Sequence, residues 1–280
     1  MFEGIITADW HLRLDKPRCR LDADWMGAQQ AAVRFVVDLS NEKQLPIYLV
    51  GDLFHVAKPD DLVVNMLIDE LSRAKFGFWV LGGNHDFLWH SEKYAKNSAI
   101  WPFLAGHIVN TRPIASSEEV VFTHQLVFAS EKDRPFEGIG ILAKDLLKKY
   151  PKAEWVFTGD NHRSFIYVSP EDHPNQMVIN PGCLLRQTAD LKDYQPVIVK
   201  VDKNGVEYIH VPDSENLVTD EYLVEAEERT DRIAAFIERL GKSETSSLSF
   251  LDNLRDKMRK TDAKVVQMVE EVLEKAEISF

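Results

Sequence analysis

Five short apolar runs in this chain each end at a residue with a hard nitrogen or oxygen donor, and no other feature narrows the fold as far. Asp9 and His11 follow Phe2 to Thr7, Gly51-Asp52 follows Ile47 to Val50, and Gly83-Asn84-His85-Asp86 follows Phe76 to Leu81. His124 closes the run from Glu119, and Gly159-Asp160-Asn161-His162 follows Glu154 to Thr158. Runs of this length bounded by turn residues predict buried strands, and the amphipathic stretches between them predict helices. The spacing gives a helix over Ala23 to Lys43, with Ala28, Ala31, Ala32, Phe35, Val36 and Leu39 on one stripe, and others over Asp60 to Ala74 and Ile139 to Tyr150. Alternating strand and helix is the pattern of an α/β sheet covered by helices, and strand carboxyl ends in such a sheet gather at one edge. Scattered donors thereby become one candidate site.

Beyond Arg163 the alternation gives way to strands and turns: Ser164 to Val168, Met177 to Ile179, Val197 to Val201 and Val206 to Val211, with Asn204-Gly205 as a hairpin signal. These predict a second, more antiparallel layer that completes a β-sandwich flanked by helices. From Ser214 the composition turns to charge-rich helix, so two domains are expected, 1–213 and 214–280. In the second, Phe250, Leu251, Leu254, Met258, Val265, Val269, Val272 and Ala276 form an apolar stripe that must be covered, by the body of the chain, by a partner helix or by a second copy.

At 280 residues and 45% hydrophobic the chain can bury a sizeable core. Two cysteines, Cys19 and Cys183, are too few for a disulfide framework, and no leader-like segment opens the sequence, so a cytoplasmic protein is expected. No apolar run approaches the roughly 18–20 residues that span a bilayer. The net charge of −12 argues against non-specific coating of nucleic acid, which is driven by phosphate neutralisation. It leaves room for a nuclease, because bound cations offset acidity and Lys16, Arg18 and Arg20 offer local positive charge.

Taken singly, each motif fits a helix cap, a turn or a structural histidine. Taken together, five strand ends carrying nitrogen and oxygen donors without cysteine point to a metal site. Asp9-Trp10-His11, Gly51-Asp52, Gly83-Asn84-His85-Asp86, an isolated His124 and a terminal Gly-x-x-His162 resemble the ordered signature of calcineurin-like metallophosphoesterases over roughly residues 1 to 190. Thr7-Ala8-Asp9-Trp10-His11-Leu12, Gly51-Asp52-Leu53-Phe54-His55 with Lys58-Pro59, and Asn180-Pro181-Gly182-Cys183 are similar to SbcD-type DNA double-strand-break repair nucleases, whose eukaryotic counterpart is the meiotic-recombination nuclease. The compact length is also similar to that of phage-encoded recombination nucleases.

The resemblance implies that Asp9, His11 and His162 hold one metal, that Asp52 bridges, and that Asn84, His124 and Asp160 hold the second. A bridging carboxylate keeps two divalent cations about 3.5–4 Å apart, suited to in-line phosphoryl displacement. It further implies that His85 stabilises transition-state charge or protonates the leaving oxygen, with Asp86 orienting it, and that His55 influences how DNA meets the metals. His55, three residues after Asp52, is expected in a first helical turn. The family pattern ends in Gly-His-x-His where this chain has Gly159-Asp160-Asn161-His162. A carboxylate there hardens the site and favours Mn²⁺ or Mg²⁺ over zinc, or else weakens the second metal.

His90, His107, His173 and His210 lie away from the strand ends and are expected on the surface or in the core. The six tryptophans are expected mainly in packing, with Trp89 and Trp101, in the irregular stretch after Asp86, open to stacking on unpaired bases. The leading expectation is a Mn²⁺-dependent DNA exonuclease and endonuclease, a homodimer acting with an SbcC-type, SMC-like ATPase through its C-terminal helices. A phosphomonoesterase or cyclic-nucleotide phosphodiesterase, and a catalytically weak scaffold for the ATPase, are the alternatives.

Overall fold

The computed structural model describes residues 2–135, 138–170, 176–212 and 217–223. The chain divides into two compact units, Met1–Thr219 and Asp220–Phe280. The expected C-terminal helices and their apolar stripe lie outside the described residues, as does the expected boundary at 213/214 and His173.

Within the first unit, strand β1 (Gly4–Thr7) leads to helix α1 (Trp25–Lys43), β2 (Ile47–Val50), α2 (Asp61–Leu71) and β3 (Phe78–Leu81). A short helix α3 (Trp101–Leu104) precedes β4 (Thr111–Pro113), β5 (Val120–His124), β6 (Val127–Phe128) and β7 (Ile141–Leu142). Helix α4 (Ala143–Lys149) is followed by β8 (Trp155–Gly159), β9 (Phe165–Val168), β10 (Met177–Asn180), β11 (Val197–Asp202) and β12 (Gly205–His210). Both long helices begin where an aspartate satisfies an orphan backbone donor: Asp24 accepts from Gly27 N at 2.9 Å, and Asp60 from Leu62 N at 2.9 Å. Gln44, at φ 60°, ends α1 in the left-handed conformation.

Among the described residues the strands form a six-stranded sheet ordered β12-β11-β1-β2-β3-β4, a four-stranded sheet ordered β5-β8-β10-β9 and a two-stranded ribbon of β6 and β7. β1, β2, β3 and β4 run parallel, and so do β5, β8 and β10. Side chains alternate across each sheet, which explains why the runs are apolar throughout. Ile5 and Leu49 join the core that also contains Val33, Val36 and Leu67 of the helices, while their neighbours Ile6 and Val50 face a core shared with Phe122, Phe157 and Ile179 of the second sheet. Val121, Val156 and Val178 then meet Leu146 and Leu147 of α4 on the far side. The result is the expected α/β sandwich of two sheets with helices on its outer faces.

Two expectations are corrected. The late strands do not make a layer of their own. β9 and β10 belong to the second sheet, whereas β11 and β12 extend the first, β11 lying antiparallel to β1 with Ile6 opposite Val199. Period-2 patterning identifies a strand without naming its neighbour. The helix expected from Ile139 begins only at Ala143, because Ile141 and Leu142 pair with Val127 and Phe128. The hairpin is as read, with Asp202 paired to Gly205, which opens β12 at φ 114°.

Candidate metal centre

Each donor-bearing loop leaves the carboxyl end of β1, β2, β3, β5 or β8, and the two sheets bring these ends together. Pairing continues past the strands: Asp9 N donates to Gly51 O at 3.1 Å, His11 N to Asp52 O at 3.0 Å, and His55 N to Leu12 O at 3.1 Å. The loops turn through backbone that side chains avoid. Asp9 (φ 50°), His11 (φ 45°), Asp52 (φ 52°) and Asp160 (φ 75°) all lie in the left-handed region, at about 1 kcal/mol or more apiece. Four strained residues at one edge place stored strain where the donors converge. His55 is not in a helical turn, since α2 starts only at Asp61 and the segment before it tracks the loop after β1.

The close approach also requires glycine. A Cβ on Gly51 would sit 2.0 Å from His124 Nδ1, and one on Gly83 would sit 2.1 Å from Asp52 Oδ1. Gly159 is similar, its Cβ position lying 2.1 Å from Val50 O.

Among the described residues three compact groups of ligand atoms result: Asp9, His11 and His162; Asp9, Asp52 and His124; and His11, His55 and His85. His11 Nε2 lies 3.1 Å from His162 Nε2, so two ring nitrogens point at one another. His124 donates Nδ1–H to Val50 O at 2.9 Å, which turns its Nε2 toward Asn84 Oδ1 at 3.1 Å and Asp52 Oδ2 at 3.3 Å. A metal-binding histidine is held in this way, its second nitrogen tied to a backbone carbonyl. Asp52 Oδ2 is buried with no hydrogen-bond partner and lies 3.5 Å from His11 Nε2 as well. Its other oxygen accepts from His85 N at 2.9 Å.

These atoms are arranged for positive charge. Burial first, then Asp52 and Asp160, push the Asp9 carboxyl up to about 8, although His124 and the Asp160 N–H oppose this. Burial opposes ionisation of Asp52, but the close His124, with His11 and His85, holds it below its ordinary value. Burial likewise disfavours a charged His124, yet Asp52 and Asp9 raise it to about 10. Burial drives His11 well below its usual range and lowers His162 and His55, the last to about 4 with help from Arg13 and His85. His11, His162 and His55 are thus held neutral, while Asp9 and His124 retain protons in the absence of a cation; divalent cations binding among these oxygen and nitrogen donors would displace those protons.

Asp160 donates its backbone N–H to both oxygens of Asp9 at 3.1 Å. Its own carboxylate falls outside the three groups, 3.9 Å from His124 Nε2. His85 donates Nδ1–H to His55 O at 2.9 Å, and the two rings stack with centroids 5.4 Å apart. Asp86, expected to orient His85, instead accepts backbone N–H groups from Gly83 (2.9 Å), Leu53 (3.1 Å) and Phe54 (2.8 Å), bracing two site loops against each other. Arg20 is no surface cation: it is buried and forks onto Asp22.

Two residues were not singled out for a role at this edge. His90 donates Nδ1–H to Asn84 O, 3.0 Å away, and packs edge-on against His85. No periodicity in its irregular segment could have revealed this. Asn180, fully buried, donates to Asn161 O at 2.6 Å and Arg163 O at 2.9 Å, pinning the loop that carries His162. Its signal was a polar residue ending an apolar strand just before Pro181-Gly182.

A search of curated proteins found no match. Among solved structures, a dimetal phosphatase from Danio rerio is 11% identical with a TM-score of 0.43, over 75% of this chain and 98% of that one. The protein TT1561 of Thermus thermophilus is 12% identical with a TM-score of 0.44, over 75% of this chain and all of that one. The family model of the calcineurin-like phosphoesterases matches residues 5–199, a span that contains all five donor loops. The chain therefore belongs to the calcineurin-like phosphoesterase family, the metallophosphoesterases.

Proposed function

We propose that this metallophosphoesterase is a DNA exonuclease and endonuclease that hydrolyses phosphodiester bonds with two divalent cations, Mn²⁺ favoured, and works in repair or recombination with an SbcC-type, SMC-like ATPase. The observation that carries the two-cation reading is Asp52 Oδ2, buried without a hydrogen-bond partner and set between His11 Nε2 and His124 Nε2. Asp9, His11 and His162 would hold one cation, and His124, Asn84 and Asp160 the other, with Asp52 common to both sets. Cations bound there supply Lewis acidity on the phosphoryl oxygens and a nucleophile at neutral pH.

The chain's own groups do the rest. His85, with Nδ1 committed to His55 O, keeps Nε2 as the atom that can meet a leaving oxygen or its developing charge. His55, stacked on His85 and edge-on to His11, supports the role in presenting DNA that its resemblance implies. The nuclease and ATPase assignments rest on Gly51-Asp52-Leu53-Phe54-His55 and on the C-terminal apolar stripe of the sequence. Homodimerisation belongs to the same reading.

The test is incubation with linear duplex DNA and Mn²⁺, alone and with the cognate ATPase. Cleavage is expected, with loss of turnover but retained metal content in His85→Ala. No cleavage in either condition, alongside fast hydrolysis of a phosphomonoester, would select a phosphatase instead.

A further inference from the structure

The most exposed tryptophan stands one residue away from a ring that touches His85. Trp89 is 74% exposed, whereas Trp10 and Trp25 are buried and the other three are half-buried. Such exposure is unusual for so large an apolar surface. The residue is not loosely held. Trp89 and His90 both adopt φ 53°, two consecutive non-glycine residues in the left-handed region. Leu88 N donates to the buried Ser98 Oγ at 3.0 Å, and His90 N to Phe87 O at 3.0 Å. His90 in turn bonds Asn84 O and packs on His85. The strained backbone therefore fixes Trp89 beside His90, the residue that packs on His85.

Its surroundings suit a nucleic acid strand. Tyr94 stands at right angles to Trp89 with ring centroids 4.6 Å apart, and Lys93 lies over the Tyr94 ring at 5.5 Å. Lys93 and Lys96 are both exposed, the Lys96 ammonium lying over Trp101 at 5.5 Å, in a segment that also exposes Glu92. An aromatic face with an ammonium group beside it is an arrangement by which proteins hold unpaired bases, stacking on the base while the cation attracts its phosphate.

We propose that Trp89 is a stacking platform for an unpaired nucleobase of a DNA strand whose phosphate lies at the metal-ligand cluster. This rests on the nuclease reading above. Trp89 acts as a positioning residue: it holds the strand and leaves the chemistry to the groups around Asp52.

The experiment measures binding of a 5′-labelled single-stranded oligodeoxynucleotide by fluorescence anisotropy, using the full chain with Ca²⁺ in place of Mn²⁺ to limit turnover. Trp89→Ala should weaken binding by about 5- to 150-fold, the range that loss of one stacked base produces, while Trp89→Phe retains most of the affinity. An oligonucleotide carrying 2-aminopurine should show quenching with the wild-type chain that is lost with Trp89→Ala. Melting temperatures control for folding, which an exposed side chain should hardly affect. Equal affinity and equal quenching in wild type and Trp89→Ala would overturn the platform while leaving the nuclease reading intact. A wild-type chain that neither binds nor cuts DNA would overturn both.

Discussion

Replacing Asp86 with asparagine distinguishes a brace from a catalytic partner. The carboxylate takes three buried N–H groups on two oxygens: Gly83 and Leu53 on Oδ2, and Phe54 on Oδ1. Whichever way an amide is turned, its NH₂ faces at least one of those donors. One buried N–H is then orphaned, at about 1–3 kcal/mol, and the two surviving bonds lose their charge assistance. Burial, and secondarily Asp52, push the Asp86 carboxyl up to about 7, so removing its charge gives part of this back. The net expectation at pH 8, where the carboxylate is ionised, is a loss of about 2 kcal/mol. For a unit of this size that corresponds to a fall in Tm of about 4–8 °C.

Because Leu53 and Phe54 follow Asp52 and Gly83 precedes Asn84, metal affinity should fall as well. Calorimetric melting with EDTA and with Mn²⁺, together with Mn²⁺ titration, measures both effects. Asp86→Ala, which orphans all three donors, should cost more than Asp86→Asn. A variant that melts within about 1 °C of wild type and keeps its metal affinity, yet loses turnover, would refute the brace and restore a direct role beside His85.

Gly51→Ala should abolish tight binding of at least one of the two cations, because its Cβ would meet His124 Nδ1 at 2.0 Å in backbone already at φ 89°; wild-type stoichiometry by metal analysis would contradict this. Saturating Mn²⁺ at about 100 times its Kd should stabilise the fold by about 2.7 kcal/mol, read as a rise in Tm that chelation reverses and that Asp52→Asn lacks. The Glu70 carboxyl, ordinarily at 4.5, is held down to about 2: burial opposes its charge, but hydrogen bonds from Arg34, Gln30 and Arg73 prevail. A depressed folded value means that this stability is present above about pH 4.5 and is lost as pH falls toward 2. With both arginines near half exposed, screening limits it to about 1 kcal/mol, and Glu70→Gln should flatten the urea midpoint across that window. Asp160→His should raise affinity for the second cation; if it also creates turnover absent from wild type, the native site is a weakened one.

Much of the site was legible because strand ends are local. A run such as Ile47 to Val50 announces a buried strand, and whatever follows it must emerge at a sheet edge. Asp9, Asp52 and His124 could therefore be gathered without coordinates. Asp86 could not be read correctly, since its three donors belong partly to the loop after β2, more than 30 residues away. His90 was passed over for the same reason: its contact with His85 depends on two left-handed residues that leave no periodic trace.

By itself, the sequence determined the buried strands, the two long helices and the set of hard donors, because hydrophobic period acts over a few residues. Tertiary structure alone decided that β11 and β12 extend the first sheet. It also decided that Gly51, Gly83 and Gly159 admit His124 and Asp52 at van der Waals distance, and that Asp52 stands between two imidazole nitrogens. Those outcomes depend on which surfaces pack together, and packing is set by the whole core rather than by any segment of it.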